Sequence, residues 1–295
     1  MKIKFLEKDK QLVVSQLQLR NYYELIDTQL MEIFLPYIKD YDIIENTNEK
    51  CICIIGVQHT DNSKLNLKDK NVFISVENLS VGRKHYDFFN KYGRDNPKVH
   101  LYFFNDISHP NIDKKYIPNV YMRIKYFNKI YNDYNSVRES IKFKDKQFCL
   151  FTSRNLLNSN KKYIINAISK IGNIDFLDKY EDTLRDKTCY NDIELLRIYN
   201  RYKFIICFEN SKTPGYVTEK IFNVFLSGSI PIYDGAPNIN EYIHSCSMIQ
   251  LDEKTIPKIE LLNNNEKLYN IILNNEKTKY LDFTLIEKMI NSLSN

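Results

Sequence analysis

Tryptophan is absent from this sequence, and glycine is scarce at seven residues in 295. Isoleucine, asparagine, lysine and tyrosine are plentiful in their place, a bias that speaks of AT-rich coding sequence more than of chemistry. No apolar run approaches the ~20 residues that a membrane helix needs. The opening MKIKFLEKDKQLVV lacks the apolar core of a signal peptide. None of the six cysteines forms a C-x-x-C pair, and no histidine stands near them at zinc spacing. Cys51, Cys53, Cys149 and Cys207 lie inside apolar runs, where a reduced cysteine behaves as a small hydrophobe. A disulfide framework is therefore not expected, and a reducing, cytoplasmic setting is. The net charge of +5 is spread over lysines scattered among acids, with no basic stripe interleaved with aromatics. That is too weak to argue for a nucleic-acid surface, and it suits a phosphorylated substrate. His85, His100, His109 and His244 are dispersed, and no D-x-D pair accompanies Asp106 or Asp113 where a metal-dependent transferase would need one. Repeats and low-complexity tracts are missing too.

What is present reads as a soluble α/β chain long enough for two domains, with 43% hydrophobic and 27% charged residues. Short strands are expected at Lys2 to Phe5, Cys51 to Val57, Val72 to Val76, Val99 to Phe104 and Val120 to Tyr126, and a helix from Arg20 to Ile38. CICIIGV has the continuous apolar character of a parallel-sheet interior. Near Asn128 to Asp145 the chain turns polar, which marks a linker between an amino-terminal domain over 1–140 and a carboxyl-terminal domain over 141–295. The second domain opens with a strand at Gln147 to Thr152. Ser153-Arg154-Asn155 follows as a loop, then a helix headed by Lys161 and Lys162 with Ile164, Ile165, Ala167, Ile168 and Ile171 facing the core. Ile193, Leu196 and Tyr199 give a short helix, Met248 to Leu251 a last strand, and Glu266 to Ser292 a helical tail. Periodicity leaves open whether that tail caps the second domain or packs back on the first. Alternating strands and helices indicate layered α/β units.

The most informative stretch is FIICFENSKTPGYVTEKIFNVFLSGSIPIYDG, from Phe204 to Gly235. Phe204 to Phe208 is a buried strand that ends abruptly at Glu209-Asn210-Ser211. Lys212-Thr213-Pro214-Gly215 can continue neither strand nor helix. From Val217 the period changes: Val217, Ile221, Val224 and Phe225 share a helical face, and Gly228 stops it. Ile230 to Tyr233 forms the next strand. The polar cargo thus sits where open α/β sheets bind ligands. Lys220 stands in the first helical turn, against the macrodipole, where it strengthens an anion site. Glu219 can accept from sugar hydroxyls, and Tyr216 offers a ring on which a base could stack. A surface helix with an ordinary charge pair is the plainer alternative.

The run FENSKTPGYVTEKIFNVFLSGSIPIYDGAP closely resembles the signature of the α-1,3-fucosyltransferases, glycosyltransferase family 10, including the full YVTEK. The resemblance implies two Rossmann-like domains facing across a cleft, the GT-B architecture, with GDP-fucose as co-substrate in the second. It implies that Tyr216 contacts guanosine, Glu219 the ribose hydroxyls and Lys220 the diphosphate, while Glu209 and Asn210 line the fucose and phosphate end. A phosphate-binding arginine of the family corresponds to Lys161 here, with Arg154 nearby as a substitute; lysine lacks the bidentate fork. Val72 to Asn78 (VFISVEN) partly matches a family stretch whose glutamate is the general base, which implies that role for Glu77. The implied activity is transfer of L-fucose with inversion to a hydroxyl of a glycan acceptor, as an α-1,3 or α-1,4 link. Basic groups would meet the departing diphosphate, so no obligatory metal or other cofactor is expected. The same fold using another nucleotide sugar, and a glycan-binding relic without turnover, are the competing readings.

Overall fold

The computed structural model describes residues 2–4, 51–56, 70–74, 99–104, 116–152, 159–180, 193–284 and 288. The helix expected over Arg20 to Ile38 lies outside them. The chain divides into two compact units. The first comprises Met1–Tyr126, Thr213–Tyr216 and Leu281–Asn295, and the second Phe127–Lys212 and Val217–Tyr280.

In the first unit, five parallel strands lie side by side in chain order: β1 (Lys2–Lys4), β2 (Cys51–Gly56), β3 (Lys70–Ile74), β4 (Val99–Phe104) and β5 (Tyr116–Pro118). Ile54 pairs with Val72 and Ile55 with Phe73, so the apolar runs of β2 and β3 share one register, and the β3–β4 pairing slips between Asn71 and Val72. The strand expected at Val120 to Tyr126 is instead the body of helix α1 (Asn119–Ile130). Val120, Arg123, Ile124 and Phe127 are the buried positions, an i, i+4, i+7 stripe with Arg123 inside it. In sequence, Val120, Met122 and Ile124 also alternate with Tyr121, Arg123 and Lys125, so a short window mimics a strand. Pro118 closes β5, and the helix follows at the next residue. The stretch expected as a linker is helical as well: α1 runs into a 3-10 turn (Tyr131–Tyr134) and the short α2 (Asn135–Arg138), whose Val137 is buried.

The second unit holds β6 (Gln147–Phe151), β7 (Ile174–Phe176), β8 (Tyr202–Phe208), β9 (Ile230–Asp234) and β10 (Ile249–Gln250), all parallel, in the spatial order β10-β9-β8-β6-β7. The chain winds outward from β6 to β7, returns past β6 to β8, and winds out the other way. That reversal between β6 and β8 is the topological switch point, beyond whose carboxyl ends such sheets bind ligands. Both faces are covered, which is why β8 reads as an unbroken apolar run. Cys149, Phe151, Phe204, Ile206 and Ile232 pack with Ile164, Ile165 and Ile168 of α3 (Ser159–Ile168), Ile259 and Leu262 of α6 (Thr255–Asn263) and Tyr269 of α7 (Glu266–Asn274). Helices α4 (Ile193–Asn200) and α5 (Glu219–Ser227) pack on each other and on β8. The expected helical tail is interrupted: α7 ends at Asn274, the chain runs irregularly over 275–283, where Ile243 bridges Thr278, and Thr284 and Lys288 are helical again. Among the described residues, no helix is long and apolar enough to cross a membrane.

Helix α5 is gripped at its carboxyl end. Gly228 is left-handed (φ 73°), and a Cβ there would lie 2.9 Å from the Cα of Arg138. The wholly buried Asn200 donates to the carbonyls of Ser227 (2.6 Å) and Arg138 (3.3 Å) and accepts from Ser140 Oγ (2.7 Å). Buried Lys146 donates to the carbonyls of Asn200 (2.5 Å) and Gly228 (3.0 Å). These bonds satisfy helix-end carbonyls that the helices cannot satisfy themselves.

Burial lowers Lys146 from its ordinary pKa of 10.5 to about 7. Between those values the unfolded chain holds the proton more often than the folded one, so this residue makes stability rise with pH from about 7 toward 10.5. The slope it contributes is at most about 1.4 kcal/mol per pH unit. Denaturant titrations of wild type and Lys146→Met across that range should therefore show the wild-type advantage growing as pH increases. A pH-independent difference would contradict the buried-amine reading.

Candidate functional site

The carboxyl end of β8 delivers Glu209, and the apolar strand explains why it is enclosed: its side chain has 0% exposure. A buried carboxylate is costly unless donors surround it, and three do. Oε1 accepts the backbone N–H of Thr218 at 2.8 Å, while Oε2 accepts the Thr218 hydroxyl at 2.7 Å and Lys220 Nζ at 3.3 Å. Lys220 also donates to Thr218 Oγ1 at 3.1 Å. The direction of every proton follows. A lysine ammonium can only donate, so the hydroxyl that accepts from it must send its single proton to Glu209. With donors converging on both oxygens, the carboxyl is held as the anion.

Burial nonetheless pushes Glu209 above the usual carboxylate range; Lys220 pulls it down, Glu219 pushes it up, and the Thr218 bonds pull it down. The remaining walls are equally specific. Glu219 Oε1 lies 3.7 Å from Lys220 Nζ. A Cβ on Gly235 would stand 2.4 Å from Tyr233 Oη and 2.5 Å from Glu209 Cγ, so only glycine fits beside the carboxylate. Tyr233 Oη accepts the Ala236 N–H at 3.1 Å. Lys212 pairs with Asp234 at 2.6 Å, tying the loop to the end of β9.

Thr218 precedes α5 in extended geometry (φ −98°, ψ −172°), and its side chain does not cap the helix. The hydroxyl that normally serves as cap is committed to Glu209 and Lys220 instead. Helix α5 therefore presents its amino end with a lysine in the first turn, next to the switch point. Just past β6, Thr152 donates to the Ile206 carbonyl at 3.0 Å and stitches the two switch-point strands together. Tyr199 of α4 feels both Glu219 and Lys220. Burial, and Cys207 next, raise this phenol, so it stays protonated.

Of the residues expected from sequence, Glu209, Glu219 and Lys220 are thus brought together. Lys220 and Glu219 keep 24% and 19% side-chain exposure, enough to meet a ligand, whereas Glu209 keeps none. Asn210 is exposed one residue further on. Tyr216 follows Gly215 (φ 72°) and is itself 1% exposed; a base can stack on it only after the covering atoms move. Lys161 falls in the first turn of α3. Its side chain, Arg154 and Glu77 lie outside the described residues. Sequence reasoning missed Thr218, whose signal was a hydroxyl residue at the helix-start position of YVTEK, and Gly235, whose signal was a glycine ending a buried strand. Among the described residues no group of three or more His, Cys, Asp or Glu side chains could hold a metal ion.

Known proteins bear on this geometry. The family model described as "Glycosyltransferase family 10 (fucosyltransferase) C-term" matches residues 141–289. Protein R654 of Acanthamoeba polyphaga mimivirus, whose name assigns it provisionally to the fucosyltransferases, is 27% identical over 227 residues, 70% of this chain. The GDP-fucose protein O-fucosyltransferase 3 of Danio rerio is 42% identical over 60 residues, 20% of this chain. The chain spans 36% of the length of the first and 13% of the second. A crystal structure of an alpha1,3-fucosyltransferase with GDP-fucose superposes with a TM-score of 0.56 at 18% identity, over 88% of this chain and 85% of that one. The two-sheet α/β fold is therefore of the GT-B class. With the family model covering residues 141–289, which include the whole Glu209–Lys220 constellation, the chain belongs to glycosyltransferase family 10.

Proposed function

We propose that the protein transfers L-fucose from GDP-fucose to a hydroxyl of a glycan acceptor, inverting the anomeric centre to give an α-1,3 or α-1,4 link. One observation carries this reading: Lys220 is held in the first turn of α5, at the switch point, by a buried carboxylate that leaves the helix amino end to an anion. A diphosphate leaving group is the natural occupant. The protein matched in the crystal structure holds GDP-fucose, which supports the guanine nucleotide.

In this reading Lys220 binds the diphosphate and meets its growing charge as the C1–O bond breaks. Lys161, with Arg154 beside it in sequence, supplies further positive charge. Glu219 accepts from the ribose hydroxyls, Asn210 lies toward the sugar end, and Tyr216 contacts guanosine. Inversion is a single displacement: the acceptor oxygen bonds to C1 as the phosphate oxygen leaves, and Glu77 takes the acceptor proton. Cations of the protein do the work of a metal ion, so none is required.

Three measurements test these assignments. In thermal-shift titrations GDP should raise the melting temperature and UDP should not; stabilisation by UDP alone would point to a different nucleotide sugar on the same fold. Glu77→Gln should lower turnover by about 10^2–10^4-fold while GDP binding survives. An unchanged rate would remove Glu77 from its role, and wild type that binds glycans without any turnover would support a relic. Activity should withstand EDTA; loss restored only by a divalent ion would refute the metal-free mechanism. Because relatives are named for both α1,3-transfer and protein O-transfer, the acceptor panel should contain free oligosaccharides and folded polypeptides.

A further inference from the structure

The enclosure of Glu209 separates it from the residues that meet ligand. We propose that Glu209 is a positioning residue, which sets the donor-phosphate cation by holding Lys220 directly and through the Thr218 hydroxyl. This rests on the donor-site reading above and assigns Glu209 a role other than lining the sugar.

The argument is geometric. A side chain with 0% exposure has no surface to offer a sugar, and both its oxygens already accept bonds from Thr218 and Lys220. Those bonds fix the two things the anion site needs. The Thr218 N–H bond sets where α5 begins, nine residues beyond Glu209 in sequence. The two contacts at Lys220 Nζ, to Glu209 and to Thr218, fix where the ammonium sits at the start of α5. A flexible four-carbon stem would otherwise spend its rotamer freedom each time a ligand bound. Among the described residues, the groups whose charge acts on Glu209 or that feel it are Lys220 and Glu219 of α5, Cys207 of β8 and Tyr233 of β9. Lys220 is the sole cation among those four groups, so removing the carboxylate charge is felt first there.

Glu209→Gln keeps the shape but turns an N–H2 group toward donors. Thr218→Val keeps the volume and deletes the bridging hydroxyl, and serves if the first variant folds poorly. Each should weaken binding of GDP, and of inorganic pyrophosphate, by about tenfold or more in calorimetry. Neither should weaken it further in a Lys220→Ala background, because the effect travels through Lys220. Glu209→Asp, which restores charge on a shorter stem, should recover part of the loss. A second readout needs no nucleotide: with lysine Nζ labelled by 15N, the Lys220 ammonium signal should be protected from exchange in wild type and lost in both variants. GDP affinity unchanged in Glu209→Gln, with loss confined to GDP-fucose turnover, would overturn the proposal in favour of a sugar contact. Full additivity with Lys220→Ala would overturn it too. If wild type fails to bind GDP while the ammonium signal behaves as stated, the donor reading falls and the positioning role stands.

Discussion

An ionised carboxylate without solvent sits at the carboxyl end of β8, and the arrangement around it follows from the need to satisfy it. Stranding such a charge would cost several kcal/mol. The strand before it is buried on both faces, so Glu209 cannot swing out to water. Thr218 must instead come back to it in extended geometry, offering amide and hydroxyl together. Gly235 must lack a side chain so that the end of β9 can lie against it. Lys220 must point inward from the first turn of α5, although the helix dipole opposes a cation there. A sequence feature that looks unfavourable on the helix alone is thus favourable in the pair.

The opposite end of α5 is fixed with comparable care. Nine helical residues span only about 13 Å, so anchors at Gly228 and Thr218 together leave the helix little freedom to slide. Ile221, Phe222, Val224, Phe225 and Leu226 are each at most 4% exposed, contributing roughly 1.5–3 kcal/mol apiece. Asn200 and Lys146 add bonds to its last carbonyls. The helix is therefore a rigid mount for the few side chains at its amino end, which is what a binding site built on a secondary element requires.

The second sheet was legible because its signals were redundant. FIICF is apolar enough, and short enough, to be a strand; Gly228 ends a helix whose face is set by Ile221, Val224 and Phe225; and Gly235 ends the next run. The site was legible in composition but less so in role. Residue type placed Glu209 near the ligand, but only the packing revealed that its oxygens are already taken. Helix α1 was misread because Val120, Ile124 and Phe127 satisfy a 3.6 period while the intervening Tyr121, Arg123 and Lys125 supply a convincing alternation. Arg123 is nonetheless buried on that helix, which no local rule anticipates. The stretch near Asn128 reads as a linker because polar residues dominate it; in the structure it is helical, with Val137 buried and the Arg138 carbonyl accepting from Asn200.

Charge arithmetic at the site carries the argument one step further. Glu209 and Glu219 bring two negative charges and Lys220 one positive, so the cluster around α5 is short of positive charge before any ligand arrives. A helix amino end contributes only about half a charge, too little to hold the proposed diphosphate. More cations must therefore converge on the same switch point from another element. The topology names the source. Helix α3 follows β6 as α5 follows β8, and β6 and β8 are neighbours running in parallel, so both helices begin at the same edge of the sheet. Lys161 and Lys162 lie in the first turn of α3, where an uncompensated dipole would otherwise disfavour them. On the donor-site proposal, the two lysine-headed helices serve as complementary halves of one anion site, and a lysine pair that looks ordinary on α3 alone gains a reason from the carboxylates of its neighbour.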